Sequence, residues 1–554
     1  MGMSCILFCN LQSTFARASG DEMNFRRVVH SKKAHDDKKA EFAKHIEALN
    51  RQFKSWFKTT LAQKPDEVYS AAVQDYMDHV AALQARYLRT YGEVMTFGSG
   101  DCGQLAHGVE EDRDLMVRYP RIVRSLRDKR VAMIACGGLH NAVVTEDGQV
   151  YTWGCADDGS LGRSGDENVP SLVPGLEAET AVGVACGDTQ TLVCTVQGKV
   201  FGWGCFRDKE GKKFFNPDYG TVGAALEKDV KKQQDKALLV QGFAGAADPG
   251  NAGVVELACG SSTCLARCAD GSAYSWGLGE LGELGRGKLP PLRNPAGEYQ
   301  LGDILREHIT PRRMQVCVGG VVTAVGERLC SRSVGSGAYH SLLVLVARGG
   351  DADSGGLYCC GLNNYGQLGL GAAAEAAHDL AVLNRVERVH EAGSEAGAPF
   401  PAHCAVLVAT GGVHHSLALC REDGATAIYA WGRSDSGQLG IKDVGQGAGD
   451  SAPLPRRVPL PAGAAHVQQI ACGGNHNIVV AGAGADVYTW GYGDMLALGH
   501  GKEQDEWTPK KINFGAGASV GANVSEGGSK AVVVSQVAGG GQHSAIVAQV
   551  TVVK

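Results

Sequence analysis

The sequence contains no run of about 18 apolar residues, which excludes an ordinary membrane-crossing helix. It has no Gly-x(4)-Gly-Lys-Ser/Thr cradle for phosphates and no nucleophile elbow set between a strand and a helix. The usual signatures of nucleotide hydrolysis and acyl transfer are therefore missing. Its 77 glycines and 17 prolines follow no Gly-x-y period, which excludes collagen, and 44 % hydrophobic residues exclude a wholly disordered chain. The 18 cysteines show neither the spacing of a zinc site nor that of a disulfide framework. Cys136, Cys186, Cys259 and Cys472 instead recur at one position of a repeat, as small buried thiols do in strands. Free, reduced cysteine fits a cytosolic or nuclear protein.

What is present is length and internal repetition. A chain of 554 residues is too long for one ordinary domain, so it holds either one large repetitive architecture or several domains. Two motifs decide between them. The first is small-Gly-x-x-His before an apolar strand: Cys136-Gly-Gly-Leu-His140, Ser336-Gly-Ala-Tyr-His340, Thr410-Gly-Gly-Val-His414, Cys472-Gly-Gly-Asn-His476 and Gly539-Gly-Gly-Gln-His543. Degenerate copies end at Gln190 and Thr263. The second is a strand ending in aromatic-Gly, as at Trp153-Gly154, Trp203-Gly204, Trp276-Gly277, Trp431-Gly432 and Trp490-Gly491, then a turn closing on Gly-x-Leu-Gly. With Phe97-Gly98 and Cys360-Gly361, each motif occurs seven times.

The order of the motifs implies closure. The second motif appears alone at Gly98 and the first alone at His543, so each end supplies half of one repeat. Pairing the halves removes the exposed edge strands of an open array. The expected fold is all-β, a seven-bladed β-propeller over residues 92–554 closed by N- and C-terminal half repeats. Inserts are expected at about 209–250, 286–333 and 371–403. The tryptophans read as blade packing. The histidines, each from a different blade, read as inter-blade hydrogen bonding; they are too dispersed to converge on one metal ion.

Ahead of the ring, residues 1–23 read as a disordered leader and 24–91 as a basic α-helical extension. Phe42, Ile46, Leu49, Phe53, Phe57 and Leu61 fall at helical spacing, as do Val68, Ala72, Tyr76, Val80, Leu83 and Tyr87. From Asn24 to Lys64 there are 11 Lys/Arg against 4 Asp/Glu, whereas residues 92–554 carry 39 against 49. The arm and the acidic ring therefore suit different partners. Arg26-Arg27 and Lys32-Lys33 fit nuclear import or DNA phosphate contact.

Gly-Gly-x-His and Val-Tyr-x-Trp-Gly with its Gly-x-Leu-Gly turn resemble the repeats of the regulator-of-chromosome-condensation family over the whole ring. Within it, Trp203-Gly-Cys-Phe206-Arg207-Asp208-Lys-Glu-Gly211 is similar to the β-wedge by which the family's exchange factors engage the small GTPase Ran. Leu284 to Pro311 resembles a loop these proteins use on the nucleosome. The resemblance implies release of GDP from Ran without covalent chemistry, cofactor or metal, in a nuclear, chromatin-associated protein. It points to Asp188 and His414 for exchange, Phe206, Arg207 and Asp208 as wedge, and Arg293 and Arg306 for an acidic histone surface. A closed ring presents no edge that demands a dimer, so a monomer is expected, with no membrane association. Ser262 stands where the family carries a second acidic residue. That departure favours the alternative, a non-catalytic propeller scaffold for protein–protein interaction.

Overall fold

The chain divides into two compact units, Met1–Arg89 and Thr90–Lys554. The structure, a computed structural model, describes residues 91–108, 115–215, 232–243, 253–348, 355–371, 379–401, 404–514 and 529–553, with short breaks. The leader and the helical arm, with Arg26, Arg27, Lys32 and Lys33, lie outside the described residues.

Unit two is a seven-bladed β-propeller. Blades 1 to 6 occupy residues 131–172, 181–239, 254–313, 329–385, 404–457 and 467–511, each an antiparallel sheet whose strands follow in sequence order. Blade 7 joins the ends: Ser529–Gly539 and His543–Val553 pair with Glu93–Ser99 and Met116–Ile122. The closing register runs from Glu93 opposite Ala548 to Gly98 opposite His543. Blade 4 is larger than the repeat predicts. A hairpin of Gln315–Val318 and Val321–Ala324 adds to its outer strand, parallel at Val316 and Leu383.

The repeated residues explain the ring. At six of the seven junctions the loop after a blade's first strand bonds through its backbone to the loop of the next blade: the Gly138 N–H to the Gly187 carbonyl, Ser261 to Ala338, Ala338 to Gly412, Val413 to Gly474, Gly474 to Gly540, and Gly541 to Gly137. A side chain at Gly137 would put its Cβ 2.3 Å from the Gly187 carbonyl, so this contact requires glycine. The Gly-x-Leu-Gly turn then seats the next blade's tryptophan: a Cβ on Gly162 would lie 2.8 Å from the Trp203 ring.

The histidines knit neighbouring blades. His140, His340 and His476 meet the hydroxyls of Thr191, Ser416 and Ser544, each at 2.8 Å through Nε2. Those hydroxyls donate onward to the carbonyls of Ser160, Gln367 and Ala497. With the hydroxyl proton spent, the histidine must be the donor. His415 and His543 meet Asn477 Oδ1 and Asn141 Oδ1 in the same way, at 2.9 and 2.7 Å. This corrects the repeat register in blade 5. His415, three residues after Gly412, fills the buried position, and His414 precedes it on the loop.

Candidate functional site

One junction departs from the pattern. Among the described residues, blades 2 and 3 have no backbone bond between their loops. Gln190 stands where other blades carry histidine and reaches the Gly260 carbonyl through Nε2 at 3.0 Å. The turn that should follow Trp203-Gly204 is absent, and with it the carbonyl that other tryptophans use: Trp153 donates to Gln104, Trp203 to Ser160, Trp431 to Gln367 and Trp490 to Gln438. Trp276 Nε1 and Thr263 Oγ1 are consequently buried without a partner. Phe243 instead packs edge-on against Trp276, with ring centroids 5.8 Å apart.

A short hairpin fills this seam. Phe206–Arg207 pairs with Lys213–Phe214, and Asp208 closes the turn by accepting the Glu210 and Lys212 N–H groups at 3.0 and 2.8 Å. Gly211 at φ 81° supplies the left-handed residue the turn needs. Phe206, Phe214 and Phe215 are buried in the largest apolar cluster of the ring, with Trp276 and Leu305, while Lys209, Glu210 and Lys212 are exposed at the tip. Arg207 leans back on blade 1, where Asp158 accepts from its Nη2 at 2.5 Å and from Lys213 Nζ at 2.7 Å. Burial alone would raise the Asp158 carboxyl, but Lys213 and Arg207 outweigh it and hold it below the usual range. Ser262 grips Arg207 by its backbone, accepting from the N–H at 3.0 Å and donating to the carbonyl at 2.5 Å.

Beside the hairpin, a polar and aromatic rim crosses the loops of blades 2 to 5. Ser261 Oγ donates to the exposed Asp188 carboxylate at 2.5 Å. Tyr339 hydrogen-bonds Ser261, and burial followed by the Asp188 charge raises its hydroxyl. The Tyr339 ring stacks on His414 at 5.8 Å, and the Tyr365 ring lies 4.8 Å from His414. Arg433 sits over Tyr365 and makes a two-pronged contact with Asp435. Burial, then Arg433, lowers His414 to about 4, so it is a neutral imidazole.

These features can be set beside known proteins. Residues 93–546 match the model of the RCC1-like domain. The chain is 30 % identical to the regulator of chromosome condensation of Mus musculus, covering 76 % of this chain and 85 % of the mouse protein.

The chain belongs to the RCC1-like domain family.

Its relatives are diverse. The ultraviolet-B receptor UVR8 of Arabidopsis thaliana is 28 % identical over 76 % of this chain and 77 % of its own length. Among solved structures, Prp20p of Saccharomyces cerevisiae, described with its binding to Gsp1p and histones, superposes with a TM-score of 0.62 at 23 % identity, covering 84 % of this chain and 94 % of that one.

In this RCC1-like ring the expected residues fall into two groups. Asp188 and His414 share the rim, joined through Ser261 and Tyr339. Arg207 and Asp208 belong to the hairpin, but Phe206 is 1 % exposed and can only act as its root. Arg306 pairs with Asp303 at 2.8 Å on the helix Asp303–Ile309. Arg293 does not extend outward: it contacts Glu210 at the hairpin tip and lies 3.9 Å over the Tyr299 ring. Sequence reading missed Ser261, Tyr339, Tyr365 and Tyr299. The first three flank repeat positions and were findable from the motif, whereas Tyr299 lies in a loop without periodicity.

Proposed function

We propose that this protein is a guanine nucleotide exchange factor for a Ran-type small GTPase, acting in the nucleus and associated with chromatin. The observation that carries the reading is the hairpin rooted between blades 2 and 3, its tip exposed and its base held by Ser262, the neighbour of the Ser261 that bonds Asp188. An exchange factor needs no covalent step; it binds the nucleotide-free GTPase more tightly than the loaded one and so weakens nucleotide affinity reciprocally. A small wedge on a rigid base suits this, because a wedge that yielded would not transmit its binding energy to the nucleotide site. Lys209 and Lys212 present charge at the tip, and the rim offers the exposed Asp188 carboxylate as an acceptor with an uncharged His414 ring farther along it. Chromatin association is assigned to Arg26, Arg27, Lys32 and Lys33 of the arm, with Arg306 on the helix within the long loop.

The test is release of fluorescent GDP from Ran by catalytic amounts of the protein, with a Phe206 to Gly211 deletion alongside. Rapid release that the deletion abolishes supports the reading. Binding of Ran without release would instead make the ring a scaffold, the reading that Ser262 favoured in the sequence.

A further inference from the structure

The wedge tip is not held by the blades alone. The long loop of blade 3 folds back onto it: Arg293 pairs with Glu210, and the Tyr299 hydroxyl donates to Asp208 while accepting from Arg293. The Tyr299 ring lies 5.4 Å from Phe214, and Lys212 Nζ sits 3.4 Å above it. Burial and the Asp208 carboxylate push the Tyr299 hydroxyl up to about 12, so it stays a donor. The loop is itself anchored. Buried Arg286 donates to the carbonyls of His308 and Thr310 at 3.0 and 3.3 Å, and His308 Nε2 reaches the Pro290 carbonyl at 2.8 Å. Leu292, Leu305 and Ile309 are buried in the same cluster as Phe206 and Phe214. Wedge and loop thus share one apolar root and one polar clasp.

We propose that Arg293 and Tyr299 are positioning residues for the wedge, so that the long loop of blade 3 is part of the exchange machinery. This rests on the exchange reading and deepens it. Asp208 shapes the hairpin turn through two backbone N–H groups, and Tyr299 fixes the carboxylate that does so. The side chain of Glu210 is otherwise exposed, in the turn of a hairpin with only two paired residues on each strand. Arg293 removes that freedom before the partner arrives, which is preorganisation.

The experiment compares full-length wild type, Arg293→Ala, Tyr299→Phe and the charge swap Arg293→Glu with Glu210→Arg in multiple-turnover GDP release from Ran. Tyr299→Phe keeps the ring contacts and removes only the hydroxyl, and the melting temperature of each variant is measured beside its exchange rate. A displaced tip should cost each single variant roughly tenfold or more in kcat, with KM changed less than about twofold. The swap restores the pair with the tip but not the contacts of Arg293 with Tyr299, so it should recover part of the loss. Singles at the wild-type rate, or a swap no better than the worse single, would overturn the proposal while leaving wild-type exchange standing. Should wild type release no GDP, the exchange reading fails separately. The clasp is then judged by trypsin cleavage after Lys209 and Lys212: several-fold faster cutting in Arg293→Ala supports it, and equal cutting overturns it.

Discussion

Ser262 holds Arg207 from both sides of one residue, accepting from its N–H and donating to its carbonyl. A hydroxyl can do both and an ionised carboxylate cannot, which gives physical meaning to the serine at this position. Ser262→Ala should leave the two backbone groups unsatisfied and cost about 1–3 kcal/mol of stability. Ser262→Asp, which supplies the acidic residue that the family resemblance implies here, can accept the N–H but places a carboxylate against a carbonyl oxygen. Exchange by Ser262→Asp should therefore fall below wild type rather than rise above it. A rise in the GDP-release rate would show that the wedge is not held through this hydroxyl.

Asp188 is exposed and accepts from the Ser261 hydroxyl, so its removal should leave the fold intact. Asp188→Ala should change stability by less than about 0.5 kcal/mol, as surface substitutions usually do. GDP release should nevertheless drop by tenfold or more. Paired melting and exchange measurements separate the two effects. A large loss of stability would reassign Asp188 to the structure of the junction.

The ring was legible because glycine, tryptophan and histidine repeat for reasons of contact, and contact between identical blades leaves identical residues in the sequence. Closure was legible from the order of motifs at the two ends. The failures are local. Two consecutive histidines, His414 and His415, satisfy the same pattern, and only strand register, with His415 opposite Gly432, shows which is buried. The extra hairpin on blade 4, Val316 through Thr323, has no counterpart in other repeats and so no periodic signal. The Arg293–Glu210 pair joins residues 83 apart through loops of irregular length, where no sequence spacing encodes proximity.

Phe206 and the tip lysines should separate by mechanism. Phe206 lies among Phe214, Phe215 and Leu278 in the seam cluster, so Phe206→Ala should cost about 3–5 kcal/mol through the cavity it leaves. Exchange would be lost with the wedge's support. Lys209→Ala removes an exposed charge and should leave the denaturant midpoint unchanged while raising KM for the GTPase, whereas Lys212→Ala also removes a cation from the face of Tyr299. Unchanged stability of Phe206→Ala in guanidinium titration would contradict the placement of its ring.

The last prediction concerns acid. His140, His415 and His476 are lowered to about 4 and His340 and His543 to about 3, in each case chiefly by burial. Each already donates from Nε2, so a second proton would go to Nδ1, which for His340 and His543 is buried without an acceptor. An unfolded histidine titrates near 6.5. Above that pH both states are neutral and the ring is unaffected. Below it the unfolded chain binds protons that the folded chain refuses, so stability falls as pH drops from about 6.5 toward 4. Each histidine contributes up to about 1.4 kcal/mol per pH unit, and five acting together should unfold the ring near pH 5. Thermal melts from pH 7.5 to 4.5 should show this collapse. Gln190 already fills the histidine position in blade 2 without titrating, so His543→Gln should keep the donor to Asn141 and reduce the slope by one proton. A slope unchanged by that substitution would mean that the buried histidines are not what limits the ring in acid.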